Sequence, residues 1–487
     1  MKRCSLFLVF GLLVIVSVVA CAVVEPFPTL PPPPTAVNRE QPPAVGMEGG
    51  SVPAAADDAQ ETAVAESPPP PVATPTLAPT ATPTEFPELV INPAQMPAIS
   101  HDLLFVGRGK LQRWQRDGNV VALVEDDVVD YVLSKDSRWA VVSQLMASTE
   151  ISNTITAVTE TIGTYRLAYL NLETGGSQLL VPAVNASLNA PLVFTLSQSG
   201  KHLAFSGLGL GEPEALVLGE KPTTELYVAE PEAGLPPKKI YDCLDRCLGQ
   251  LWLDDATFVF SDSDGLYLYT VPGDRPRLLK SGDTGGGLNE RFIPLSWAKN
   301  ARWLMMLYRP YSEGTETAIF DVAAQTMMVV PQSYFDAEPY FPEMTWMADN
   351  RIFMTRLSDN ATGSVVGETY RINQDAGVVQ LDESVALTAA AMQSLAPIHW
   401  ENGRFGYALF EPGHSENGLY QRVSFSEPAE QISDLPAQEP SEIVWAPDGS
   451  GAIMQVNGAM YYAPAGGALV DLQTAVGLSG HNFTWLP

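Results

Sequence analysis

A unit that recurs every 45 to 54 residues over the second half of the chain limits what it can fold into. Each copy reads as an aromatic residue or leucine, a polar turn of three to five residues, and then an apolar strand. Copies stand at residues 133–143, 196–206, 252–261, 297–306, 346–354, 400–409 and 445–454. Trp252, Trp297, Trp346, Trp400 and Trp445 lead the last five, in steps of 45, 49, 54 and 45 residues. Two further strand-like runs follow each copy, for example residues 266–269 and 277–279, or 317–320 and 327–330. Four strands in a period of that length is the pattern of blades packed around an axis, because one such unit cannot bury its own apolar face. No long segment shows the 3.6-residue spacing of a helix. Residues 384–395, rich in Ala and Met, come nearest and are expected to form one short helical insertion.

The two ends of the repeat region fit each other. Residues 482–486 reproduce only the first strand of a unit, whereas residues 102–106, 110–114 and 120–124 supply three strands without it. Joined, they complete one blade and remove the open sheet edges that invite aggregation. The expected fold is therefore all-β: a single β-propeller of four-stranded blades over residues 99–487, closed by pairing of its N- and C-terminal strands. Eight blades are expected. Seven is the alternative, because the copies at 133 and 196 lack the leading Trp. The six Trp at unit starts, with Trp485 as the last, are expected to pack between blades rather than against a ligand.

The turn Trp445-Ala446-Pro447-Asp448-Gly449 resembles the WD40-like repeat of TolB-type β-propellers, which reads aromatic-Ser-Pro-Asp-Gly followed by an Ile-Ala-Phe strand. Residues 196–206 match the following strand best, and the resemblance spans roughly residues 100–487. Asp and Gly suit a tight hairpin between the first two strands of a unit. The resemblance implies the same fold. Peptidases that share it carry a hydrolase domain after the propeller, and this sequence ends at Pro487.

The amino terminus points to a compartment. Lys2 and Arg3 precede an apolar run over residues 6–19, and Val18-Val19-Ala20-Cys21 resembles the lipobox of bacterial lipoproteins. That implies a signal peptide over residues 1–20, lipid on the Cys21 sulfur, and a domain held on the bilayer outside the cytoplasm. An uncleaved anchor over residues 5–24 is the competing reading. Residues 21–98 are rich in Pro, Thr and Ala, with landmarks at 31–34, 68–71 and 74–84. Proline deletes ladder donors and no periodic apolar face is present, so a disordered, semi-extended stalk is expected.

Charge and cysteine content exclude several classes. Of the formal net charge of −29, residues 1–98 carry −6 and the remainder −23. A surface that acidic repels phosphate backbones, so no nucleic-acid partner is expected. The domain is expected to be monomeric. Apart from Cys4 and Cys21, only Cys243 and Cys247 are present. In an oxidising compartment the pair reads as a disulfide, with free thiols or a metal site as alternatives. His101, His202, His399, His414 and His481 show no ligand spacing around it, and no metal or cofactor is expected.

Connection lengths suggest which face functions. Turns between first and second strands are short, whereas residues 144–163, 207–224 and 357–367, and the interblade stretches 281–291, 332–342 and 382–395, are long. In an up-and-down meander these two long families leave from one rim, and elaborated loops carry function more often than trimmed ones. There Tyr334, Phe335, Tyr340 and Phe341, beside Tyr311 of the preceding blade, form a candidate aromatic platform for sugars or peptides. A role in covering the blade edge is the competing account. The acidic turns at residues 262–265 and 126–127 lack the twelve-residue spacing of a calcium loop. No Gly-x-Ser-x-Gly or His-Glu-x-x-His motif occurs. Two functions follow: non-catalytic binding of a protein, peptide or cell-wall glycan, or hydrolysis or lysis of polysaccharide by carboxylates of the central funnel.

Overall fold

The computed structural model describes residues 96–152, 159–190, 192–211, 224–244, 246–282, 290–310, 314–334, 342–358 and 363–487. Eight antiparallel sheets form a ring from these residues. Blade 1 consists of Leu103–Gly107, Lys110–Trp114 and Val120–Val124, completed by the carboxyl-terminal strand His481–Trp485. Leu103 faces Trp485 and Leu104 faces Thr484 across that closing pair. Blades 2 to 8 open with the leading strands Val128–Leu133, Val193–Leu196, Leu248–Trp252, Arg291–Trp297, Glu343–Trp346, Gln393–His399 and Glu442–Trp445. The ring therefore has eight blades, two of which begin a unit without Trp.

Leading strands touch one another around the ring: those of blades 2 to 5 in succession, and those of blades 6, 7, 8 and 1. The Trp residues make these joints directional. Trp252 donates its indole N–H to the Thr195 carbonyl of blade 3 at 3.1 Å. Trp297 reaches Leu251, Trp346 reaches Ser296, and Trp485 reaches Val444, each on the leading strand of the preceding blade. The acceptor is always the residue before the homologous aromatic position. Blade 7 breaks the pattern. A bulge shifts its register between Leu395 and Ile398, Trp400 follows its leading strand, and the Trp400 indole turns forward to the Ala446 carbonyl. Trp445 in turn reaches back to Ala396 within that bulge. An indole is large enough to fill the wedge between blades and still offers one N–H, so it packs and fixes register together.

The turns between first and second strands share a second device. Asp136, Asp254, Asn300, Asp349, Asn402 and Asp448 each accept the backbone N–H two residues ahead, at 2.8 to 3.2 Å. Such Asx turns let the chain reverse in few residues. In the Trp445 unit, Gly449 supplies the left-handed residue at φ 74°.

Three expectations give way. Residues 384–395 are not helical: Ser384, Val385 and Thr388 lie in the outer strand Val378–Thr388, and Gln393 begins the next leading strand. Pairing with Val365–Asn373 takes the chain to Thr388 and the next strand begins at Gln393, so only the four residues between them are left, too few to nucleate a helix. Residues 144–163 are not a simple loop, because Trp139–Ser152 and Thr159–Asn171 stay paired out to Ser152 and Thr159. Within residues 207–224, Gly209–Leu210 adds a fifth strand to the outer edge of blade 2. One five-residue helix, Leu472–Val476, was unanticipated; Asp471 caps it through Thr474 N and Gly477 ends it at φ 73°. Cys21, the signal segment and most of the stalk lie outside the described residues. Among the described residues, no helix is long and apolar enough to cross a membrane.

Candidate functional site

Leading strands begin on the rim that also carries the connections between second and third strands. The paired extension of blade 2 rises from this rim, and the disulfide-linked Cys243 and Cys247 sit here between blades 3 and 4. Their Cα atoms are 5.5 Å apart, within bridging range, and both residues are buried.

One position on these strands organises the inner wall: the residue three before the aromatic or leucine that ends the strand. It is Asp130 in blade 2, Gly249 in blade 4, Pro294 in blade 5, Glu343 in blade 6, Glu442 in blade 8 and Asn482 in blade 1. Glu442 accepts the backbone N–H groups of Asn482 and Phe483, both at 3.0 Å. Asn482, at φ 54°, then donates its side-chain amide to Asp130, whose same oxygen also accepts Tyr131 N. Glu343 accepts Ala396 N at 2.5 Å, inside the blade 7 bulge. Gly249, at φ 57°, brings its backbone against Pro294 so closely that a Cβ would sit 2.5 Å from the proline ring. The bulges of blades 1 and 7 free backbone donors, and a carboxylate of the preceding blade satisfies them.

Burial sets the acidity of this wall. Desolvation pushes Asp130 up to about 6, against hydrogen bonds from Tyr131 and Asn482 and a nearby His481. Desolvation pushes Glu343 up to about 7, opposed only by the Ala396 N–H. Glu442 is also raised by burial, with its two backbone donors and His481 pulling the other way. Burial thus raises all three carboxyls of the wall, and each accepts at least one backbone N–H.

Of the expected aromatic platform, Tyr334 is described, 51% exposed and lying over Gly314 in the connection between the second and third strands of blade 5. Tyr311, Phe335, Tyr340 and Phe341 lie outside the described residues. Asp262 is buried, and its Oδ1 accepts Asp264 N and Gly265 N, the geometry of a turn. Among the described residues, no three His, Cys, Asp or Glu are grouped to hold a metal ion. Asp130, Glu343, Glu442 and Asn482 escaped the sequence reading. Their signal was present as an acid or amide three residues before Leu133, Trp346, Trp445 and Trp485, and aligning the units backwards from the aromatic exposes it.

No family model matches the sequence, and no curated protein matches it. Solved structures similar to it include TolB from Acinetobacter baumannii, at 12% identity over 60% of this chain and 67% of that one, with a TM-score of 0.31. Dipeptidyl peptidase 4 of Porphyromonas gingivalis shares 9% identity over 79% of this chain and 60% of that one, at a TM-score of 0.47. An oligogalacturonate lyase in complex with manganese shares 12% over 73% and 82%, at 0.39.

Proposed function

We propose that this chain is an extracytoplasmic β-propeller lipoprotein, anchored through Cys21, whose elaborated rim binds a protein, peptide or cell-wall glycan without chemistry. One observation carries the non-catalytic reading. The inner-wall carboxylates Asp130, Glu343 and Glu442 are bonded to backbone or amide N–H groups that hold bulged strands. A catalytic pair would need one carboxyl free to protonate a leaving group and the other free to attack or activate water. Tyr334, exposed on the same rim, supplies the aromatic face such a partner meets. The raised carboxyls of Asp130 and Glu343 favour a second reading, a polysaccharide hydrolase or lyase.

Two experiments on the full chain test this. Cys21→Ala is expected to abolish incorporation of a labelled fatty acid and to release the protein from the membrane fraction. Unchanged retention would leave an uncleaved anchor as the explanation and end the lipoprotein reading. In cells, surface cross-linking is expected to capture one recurrent partner, with Tyr334→Ala reducing its yield. Glycan cleavage by the wild type that disappears in both Asp130→Asn and Glu343→Gln would replace binding with catalysis.

A further inference from the structure

On the opposite, trimmed rim, an open groove of ≈ 360 Å³ runs between blades 5 and 6, lined by Trp303, Asp349, Asn350, Arg351, Arg371 and Ile372. We propose that this groove binds a monosaccharide-sized carboxylate, such as a uronic acid unit, with its carboxylate on the guanidinium groups of Arg371 and Arg351. The inference goes beyond the partner-binding rim and is independent of it.

The donors here lack acceptors. Arg371, 65% exposed, reaches Asp382 through Nε at 2.9 Å, which leaves both its outer nitrogens without an acceptor among the described residues. Arg351 uses Nε on Asp349 and Nη1 on Asp382, leaving Nη2. The indole N–H of Trp303 is buried with no acceptor, a state that buried polar groups rarely keep. Asn350, at φ 64°, accepts Asn300 N from blade 5, and Arg302 donates to Gln374 of blade 6. Those two ties cross between the blades and fix the width of the groove.

Charge selects the ligand. The site pairs two arginines with Asp349 and Asp382, so its own charge is near balance inside a domain of −23. Arginine hydrogen bonds hold both carboxylates ionised: they outweigh the opposing effect of burial and leave Asp349 and Asp382 below their ordinary values. A planar monoanion fits the remaining fork of Arg371, while a dianion would meet two fixed carboxylates at close range. The volume suits a sugar ring, and Ile372 with the Trp303 indole gives it apolar wall.

The test is calorimetric titration of the full chain with glucuronate, with glucose and inorganic phosphate as separate arms. Saturable binding of glucuronate alone is expected, weaker at high salt, with Arg371→Gln lowering affinity about tenfold or more. Arg371→Lys, which keeps the charge but not the fork, is expected to fall between the two. Arg371 is mostly exposed and Arg351 still holds Asp382 in its absence, so both variants should fold. No saturable glucuronate binding, equal binding of glucose or of phosphate, or full affinity in Arg371→Gln would each overturn the assignment.

Discussion

At the scale of single residues, the ring depends on side chains that do two things at once. Trp252 fills the wedge between blades 3 and 4 and donates to Thr195 O. Trp252→Phe keeps most of the packing and strands a carbonyl, so a loss of about 1–2 kcal/mol is expected. Urea unfolding with an unchanged slope and a lower midpoint would show it. Acidity is a second residue-level device. Glu343 rises from 4.5 to about 7 on folding, and Asp130 from 3.8 to about 6. A carboxyl raised by folding contributes stability that is present below its unfolded value and disappears as pH climbs through the folded one. Glu343→Gln, which retains an acceptor for Ala396 N, should therefore gain on the wild type between about pH 4.5 and 7.5. His399, held below its usual value by burial, works in the opposite direction but cancels in that comparison. A constant difference across that range would refute the role given to Glu343. The Trp positions were legible in the sequence because one large residue type recurs at steps of 45 to 54 residues. The Asx turns were hidden by substitution: Asp and Asn alternate, and only Asp448 keeps both Pro and Gly around it.

At the scale of elements, bulges rather than regular pairing shape the inner wall. Gly249 is needed for its positive φ and for its approach to Pro294. Gly249→Ala places a methyl against the ring and strains the backbone, so a loss of about 2–4 kcal/mol is expected in the same urea measurement. The closing strand is held by Glu442 through Asn482 N and Phe483 N. Glu442→Ala leaves both donors unpaired, and amide exchange at these two residues should accelerate while exchange in blade 4 stays unchanged. Strand order could be read from alternating apolar runs and turns, but some elements could not, the strand Gly209–Leu210 and the helix Leu472–Val476 among them. The extension of blade 2 reads as a polar loop because Ser, Thr and Glu dominate residues 148–152 and 159–161. Residues 384–388 pair because a neighbouring strand is present, and that information is not local.

At the scale of the whole molecule, closure removes the edge that an open eight-blade array would expose at Leu103–Gly107. The fold was legible because the last strand and the first three were each incomplete and complementary. Of the expected platform aromatics only Tyr334 is among the described residues, and loops carry no periodicity by which a sequence could place such side chains. Closure is tested most directly by a cysteine pair across the joint, Leu104→Cys with Thr484→Cys, residues that face each other there. On mild oxidation of the full chain, mass spectrometry should find one intrachain disulfide between positions 104 and 484, formed in the folded monomer. A folded monomer in which these two thiols stay unlinked, or which links them only between chains, would contradict a ring closed by its own carboxyl-terminal strand.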